Sequence, residues 1–306
     1  MKDRFRAHWR ALALLSVPLL LAGGLVTRGH APRAARRTPV TRPPVSVARG
    51  RFRVSYGAAK DEDMASWAAR LRDDRVLERA ADRLNAFVAL PADVVLSFKE
   101  CGDDDAYYEK GRVTFCYEEV ADYADLLAPG RADQPLTERE TKRVEDAATF
   151  FLFHEAGHAL VDVLALPITG KEEDAVDQFA VYFLAEGGPP DARTDALRAA
   201  EVLGRLARSE STAAGELPVW DVHSLDAQRQ ANLLCWLYGG DSRAFGETVR
   251  RAGLPRERRN SCEDEYAQLA GSWSVLLAPY LAAPAVTAGT GQPQRGAGPR
   301  AGLPPR

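Results

Sequence analysis

The sequence predicts an α+β fold, on two observations. Short β-type runs are confined to the first part of the chain, at Phe52–Tyr56, 94–98 and 112–117, and the apolar patterns after them repeat at helical spacing. Strands followed by helices, rather than alternating with them, form a small sheet beside a helical half around one core, here over residues 51–281. Of 306 residues, 46% are hydrophobic and 27% charged, ordinary for a soluble domain with a full core, and no internal repeat is visible.

The start of the chain differs in charge from the rest. Residues 1–53 carry 12 Lys and Arg against Asp3 alone, a net of +11, while the remainder carries a net of −14. The body is therefore acidic, which argues against nucleic acid as a partner. Residues 1–27 read as an export signal: Lys2, Arg4, Arg6 and Arg10 precede the uncharged run 11–26, and Ala22, Gly23 and Gly24 offer a place for cleavage. That run falls short of the roughly 20 residues that span a bilayer, which favours a cleaved signal peptide over an uncleaved membrane anchor. The expected location is extracytoplasmic, either secreted or tethered to the outer face of the cytoplasmic membrane. Residues 28–50, rich in Arg, Pro and Ala, read as a linker, and 282–306 as a disordered tail of Gly, Pro, Ala and Arg.

Within the body, 62–88 has helical spacing at Trp67, Leu71, Val76, Leu77, Leu84 and Phe87, and stops before Pro91. The segment 102–111, with Asp103, Asp104 and Asp105 between two glycines, reads as a turn after strand 94–98, and 112–117 as the returning strand, whose edge an extended peptide could join. A short helix at 118–127 is closed by Pro129 and Gly130. Thr137 and Glu140 form a capping box for a helix reaching Ala165, and Thr169 and Glu172 suggest a second, for a helix from Gly170 to Ala185. A third amphipathic helix follows at 191–208. Ser224 and Ser261 are the expected N-caps of two more, ending near Tyr238 and Tyr280. The four cysteines suit an oxidising compartment, and pairing neighbouring elements gives Cys101 with Cys116 and Cys235 with Cys262.

The chemistry centres on FLFHEAGHAL at 151–160. His154 and His158 stand one helical turn apart, where both imidazoles reach one ion, with Glu155 placed to take a proton from a metal-bound water. The flanks are uncharged apart from Asp162, so the helix should be buried, and three ionisable groups in one buried turn call for partners or a metal. Gly157, in a helix interior, marks a close approach by another element. A catalytic zinc site needs a third protein ligand, and Glu172, Glu173, Asp174 and Asp177 are the candidates. Acidic residues also suit a helix N-terminus without any metal. Asp174 and Gln178 fall opposite the apolar stripe and face water, which leaves Glu172, Glu173 and Asp177.

The succession HEAGH, LP, GKEEDAVDQFA resembles the gluzincin-type zinc metallopeptidases, and more narrowly a family of bacterial "putative metallopeptidases" filed as a domain of unknown function. The narrower resemblance extends to ECG and YY within 100–108, FCYE at 115–118, DVHSLDAQRQANLLCWLYG at 221–239 and CEDEY at 262–266, so it covers about 51–281. Where an Asn often precedes the Ala-Tyr pair in that family, this chain has Asp105. The resemblance implies a zincin-like fold, Zn2+ held by His154, His158 and Glu173, and Asp177 behind a ligand histidine. Peptide hydrolysis with Glu155 as general base is the activity it implies, on a peptide or protein substrate. A further donor usually steadies the oxyanion, and His223 is the candidate, with Tyr182 and Tyr238 as alternatives. On this assignment Glu172 is dispensable, although it occupies a neighbouring phase and could substitute, and His223 could make a three-histidine site instead if its loop folds over the cleft. Two other classes compete: a non-catalytic zinc-fold binding protein, against which the intact Glu155 argues, and a zinc amidase acting on a non-peptide or cell-wall amide.

Overall fold

The α+β layout is what a computed structural model of the chain contains; it describes residues 50–131, 134–189, 191–212, 217 and 219–282. The expected signal segment 1–27, nearly all of the linker and the tail lie outside the described residues. Among the described residues, no helix is long and apolar enough to cross a membrane.

The elements are β1 (Phe52–Tyr56), α1 (Glu62–Asp73), α2 (Val76–Phe87), β2 (Val94–Lys99), β3 (Ala106–Glu109), β4 (Arg112–Cys116) and α3 (Tyr117–Leu127). The helical half follows: α4 (Glu138–Val163), α5 (Glu172–Glu186), α6 (Arg193–Thr212), α7 (Asp226–Gly240), α8 (Ser242–Arg251), α9 (Arg256–Arg259) and α10 (Cys262–Leu277). The sheet order is β1-β2-β4-β3, with β1, β2 and β4 parallel and β3 antiparallel to β4.

Several elements depart from the sequence reading. The helix expected over 62–88 is two helices, separated at Arg75, whose φ is +54°. Leu71 and Val76 are five residues apart, a step that carries them about 140° apart on an unbroken helix. The break lets both reach the core, where each is almost fully buried. Strand 112–117 does not return beside β2 as half of a plain hairpin. The segment read as a turn contains β3, and the hairpin is β3–β4, closed by Lys110 and Gly111 with φ of +47° and +80°, the two positive values a tight two-residue hairpin turn requires. Because β4 lies between β2 and β3, its edges are both covered, and the outer strands of the sheet are β1 and β3. The second capping box does not form: Lys171 occupies the N-cap of α5 without a side-chain bond, and Glu172 is used elsewhere. Leu225 rather than Ser224 occupies the N-cap position of α7, and α8 and α9 were not anticipated.

The first capping box does form at Thr137 and Glu140, and α4 then runs through the middle of the molecule, buried from Ala147 to Gly157 apart from a partly covered Thr149. Phe150 and Phe153 on it are fully covered, each contributing on the order of 1.5–3 kcal/mol of burial free energy. Both disulfides expected from the sequence are present, Cys101 with Cys116 and Cys235 with Cys262, and no cysteine is free. The first closes a loop that in the chain-entropy account contributes about 3 kcal/mol.

Away from the histidines, α4, α6 and α2 bury a knot of charge. Asp195 and Glu145 are nearly inaccessible, with Arg83 Nη1 3.8 Å from Asp195 Oδ2. Burial, reinforced by Asp146 and opposed by Arg83, pushes the Asp195 carboxyl up to about 7. A carboxyl whose folded pKa is raised binds its proton more tightly in the folded state, so its contribution to stability falls as pH rises from about 4 to 7 and stays low above that. Asp195→Asn is therefore expected to raise Tm over the wild type at pH 8 and to leave it unchanged near pH 4. An equal offset at both pH values would show that Asp195 is not the titrating group.

Candidate metal centre

The site is built where α5 crosses α4 at Gly157. A Cβ at that position would lie 2.9 Å from Val176 Cβ and 3.0 Å from Phe179 Cδ1, closer than side chains pack. The missing side chain is what seats α5 against the histidine-bearing turn. Gly157→Ala gains roughly 1 kcal/mol of helix propensity but overpacks a rigid contact at about 1–3 kcal/mol. A net loss of stability is expected by denaturant titration, with weaker metal binding as α5 is displaced.

With α5 seated, Glu173 faces both histidines of α4. Its Oε2 lies 3.2 Å from His154 Nε2 and 3.2 Å from His158 Nε2. His223, on the loop before α7, brings a third imidazole nitrogen to the same oxygen, with Nε2 at 3.0 Å. Glu155 Oε1 stands 3.9 Å from His154 Nε2 and lines the same cleft.

Each ring has a carboxylate at its other nitrogen. His154 Nδ1 is 2.7 Å from Asp177 Oδ1, His158 Nδ1 is 2.8 Å from Glu172 Oε1, and His223 Nδ1 is 3.2 Å from Asp221 Oδ1. Asp177 is itself clamped by Arg229, which donates from Nε to Oδ2 and from Nη2 to Oδ1, both at 2.9 Å. Such partners fix the tautomer with hydrogen on Nδ1 and leave each Nε2 lone pair directed at Glu173.

Three nitrogen lone pairs converging on a carboxylate oxygen repel one another unless positive charge sits among them. Protons can supply it. Burial would lower the His154 imidazole, but Asp177 and Glu173 hold it up at about 9. His158 is likewise raised by Glu173 and Glu172 against its burial. Burial would raise Glu173, yet bonds from the three histidines hold it far below the usual carboxylate range. A divalent cation supplies the same charge, and imidazole and carboxylate ligands suit zinc and its neighbours. The residues fit a metal ion.

The cleft in front of them encloses about 660 Å³ and is bounded on one side by Asp105 and by Ala106, Tyr107 and Tyr108 of β3. Tyr108 donates from its hydroxyl to Asp162 Oδ2 at 2.6 Å, tying the strand to α4. Burial pushes the Glu155 carboxyl up, against the pull of the neighbouring histidines.

Residues 56–277 match the model of a family described as "putative metallopeptidase". The chain belongs to that family. Searches of the curated proteins and of the solved structures found no significant match. The metallopeptidase match runs from the end of β1 to the end of α10, so it takes in both halves of the fold and every residue of the centre.

The structure thus brings together His154, Glu155, His158, Glu173, Asp177 and His223. It does not bring Tyr182, which packs its ring 6.1 Å from Phe87, or Tyr238, which lies beside Gly246; neither lines the cleft. Residues missed in the sequence are Arg229, Asp221 and Asp162. Arg229 carried a signal: it shares a helix face with Leu233 and Trp236, and an arginine in an apolar stripe implies a buried carboxylate. Asp221 and Asp162 stand on surface segments, where the sequence offers no such contrast.

Proposed function

We propose that the chain is an exported, zinc-dependent peptidase. The observation that carries this is the convergence of His154 Nε2 and His158 Nε2 on Glu173 Oε2, with Glu155 beside them at the cleft. His154, His158 and Glu173 would hold the ion, and a bound zinc would polarise the scissile carbonyl and acidify a water. Asp177 and Glu172 keep the ligand imidazoles in the binding tautomer. Glu155, made more basic by burial, takes the proton from the attacking water and delivers it to the leaving amine. The free edge of β3 lies along the cleft and can pair with an extended peptide through main-chain hydrogen bonds. Export is supported by the basic and apolar start of the sequence and by two disulfides that use all four cysteines.

The test is elemental analysis of the purified protein together with digestion of a mixed peptide library. One zinc per chain with cleavage that a chelator abolishes is expected. A zinc-loaded protein that cuts no peptide but releases amine from cell-wall fragments would move the substrate to another amide.

A further inference from the structure

We propose that His223 is a fourth protein ligand of the metal, carried on a detachable loop that closes the site at rest. This rests on the metal-centre reading above. The sequence allows His223 two roles, an oxyanion donor or a ligand of a three-histidine site. His223 aims Nε2 at Glu173 Oε2, the oxygen that both histidines of α4 face, from 3.0 Å, slightly nearer than either. Its Nδ1 and its backbone N–H both face Asp221 Oδ1, at 3.2 and 2.8 Å. That repeats on a loop the carboxylate-to-imidazole arrangement of His154 with Asp177 and of His158 with Glu172. Its ring lies beside that of His154, centroids 6.3 Å apart and planes 26° apart. The ligand atoms of His154, Glu173 and His223 all lie within 4.8 Å of one another.

The four residues are not equally fixed. His154 is 2% exposed, and His154, His158 and Glu173 all stand on packed helices; His223 is on a loop and its side chain is 44% exposed. Val219, Trp220 and Val222 on the same loop are exposed, so apolar packing does little to hold it. It is held by polar contacts instead. Lys171 Nζ donates to the Asp221 and His223 carbonyls at 3.2 and 3.3 Å, and Ser224 Oγ donates to Asp174 Oδ1 at 2.7 Å. Four protein ligands make a closed site of the structural kind, whereas turnover needs a position free. His223 is the ligand that can leave, and a substrate entering along β3 would have to displace it.

Zinc affinity measured by competition with a chromophoric chelator, and the visible and near-ultraviolet spectrum of the cobalt-loaded protein, test the assignment. Wild type should bind one equivalent, and His158→Ala should lose it. His223→Ala should bind about 10–100-fold more weakly, with its cobalt band shifted as nitrogen gives way to water. His223→Cys should restore affinity and add an intense thiolate-to-cobalt charge-transfer band, which only a coordinating side chain produces. Wild-type affinity and an unchanged cobalt band in His223→Ala, with no charge-transfer band in His223→Cys, would overturn the proposal while leaving the metal centre standing. A wild-type protein that takes up no metal would overturn the metal centre itself and this proposal with it.

Discussion

Glu155→Gln is expected to lower peptide hydrolysis by about 10²–10⁴-fold while the metal stays at full occupancy. The amide matches the carboxylate in size and fits the same largely buried position, but it cannot accept the proton of the attacking water. Glu155 is also near enough to His154 and His158 to be counted as a ligand with them. The two roles separate cleanly, because loss of a ligand empties the site and loss of a base does not. Metal content measured beside kcat decides it, and an empty Glu155→Gln protein would make Glu155 a ligand.

Glu173→Ala is expected to cause the largest loss of metal affinity among the carboxylate variants. Its Oε2 is the atom on which three imidazole nitrogens converge, so its removal leaves them facing one another without a counter-charge. Asp177→Ala should weaken binding by about 10–100-fold, since it acts through the His154 ring. It should also lower stability by roughly 3–5 kcal/mol, because Arg229 would keep a buried charge with its main partner gone. Glu172, dispensable on the sequence reading, holds His158 from a half-exposed position, and Glu172→Ala should weaken binding less than Asp177→Ala does. Zinc titration of the three variants checks the order. Tight binding by Glu173→Ala with loss in Glu172→Ala would exchange the two glutamates.

The histidine-bearing helix was legible because its signals are local. A capping box, an apolar run and two histidines one turn apart are all read within one segment. Gly157 announced a close neighbour without saying which, since the identity of α5 depends on tertiary packing. Likewise, phase alone left Glu172, Glu173 and Asp177 open, and the structure uses all three at the histidines. The Thr169 and Glu172 pattern misled because a glutamate competent to cap a helix is equally competent to hold an imidazole, and the imidazole won. The sheet was misread for a similar reason. Spacing shows where strands are but not which ones pair, and β3 was hidden in a segment whose aspartates and glycines dominate its pattern.

The free edge of β3 has a consequence for the molecule's solubility. An unpaired strand that can accept a peptide can equally accept the matching strand of another copy and begin edge-to-edge association. Here the strand is only four residues long, and it ends in the ion pair of Glu109 with Lys110, Nζ to Oε1 2.8 Å. A short edge tipped with exposed charge gives a second copy little length to pair with and a charged end to desolvate. Pairing of two copies through β3 is thereby disfavoured relative to pairing through a longer, uncharged edge.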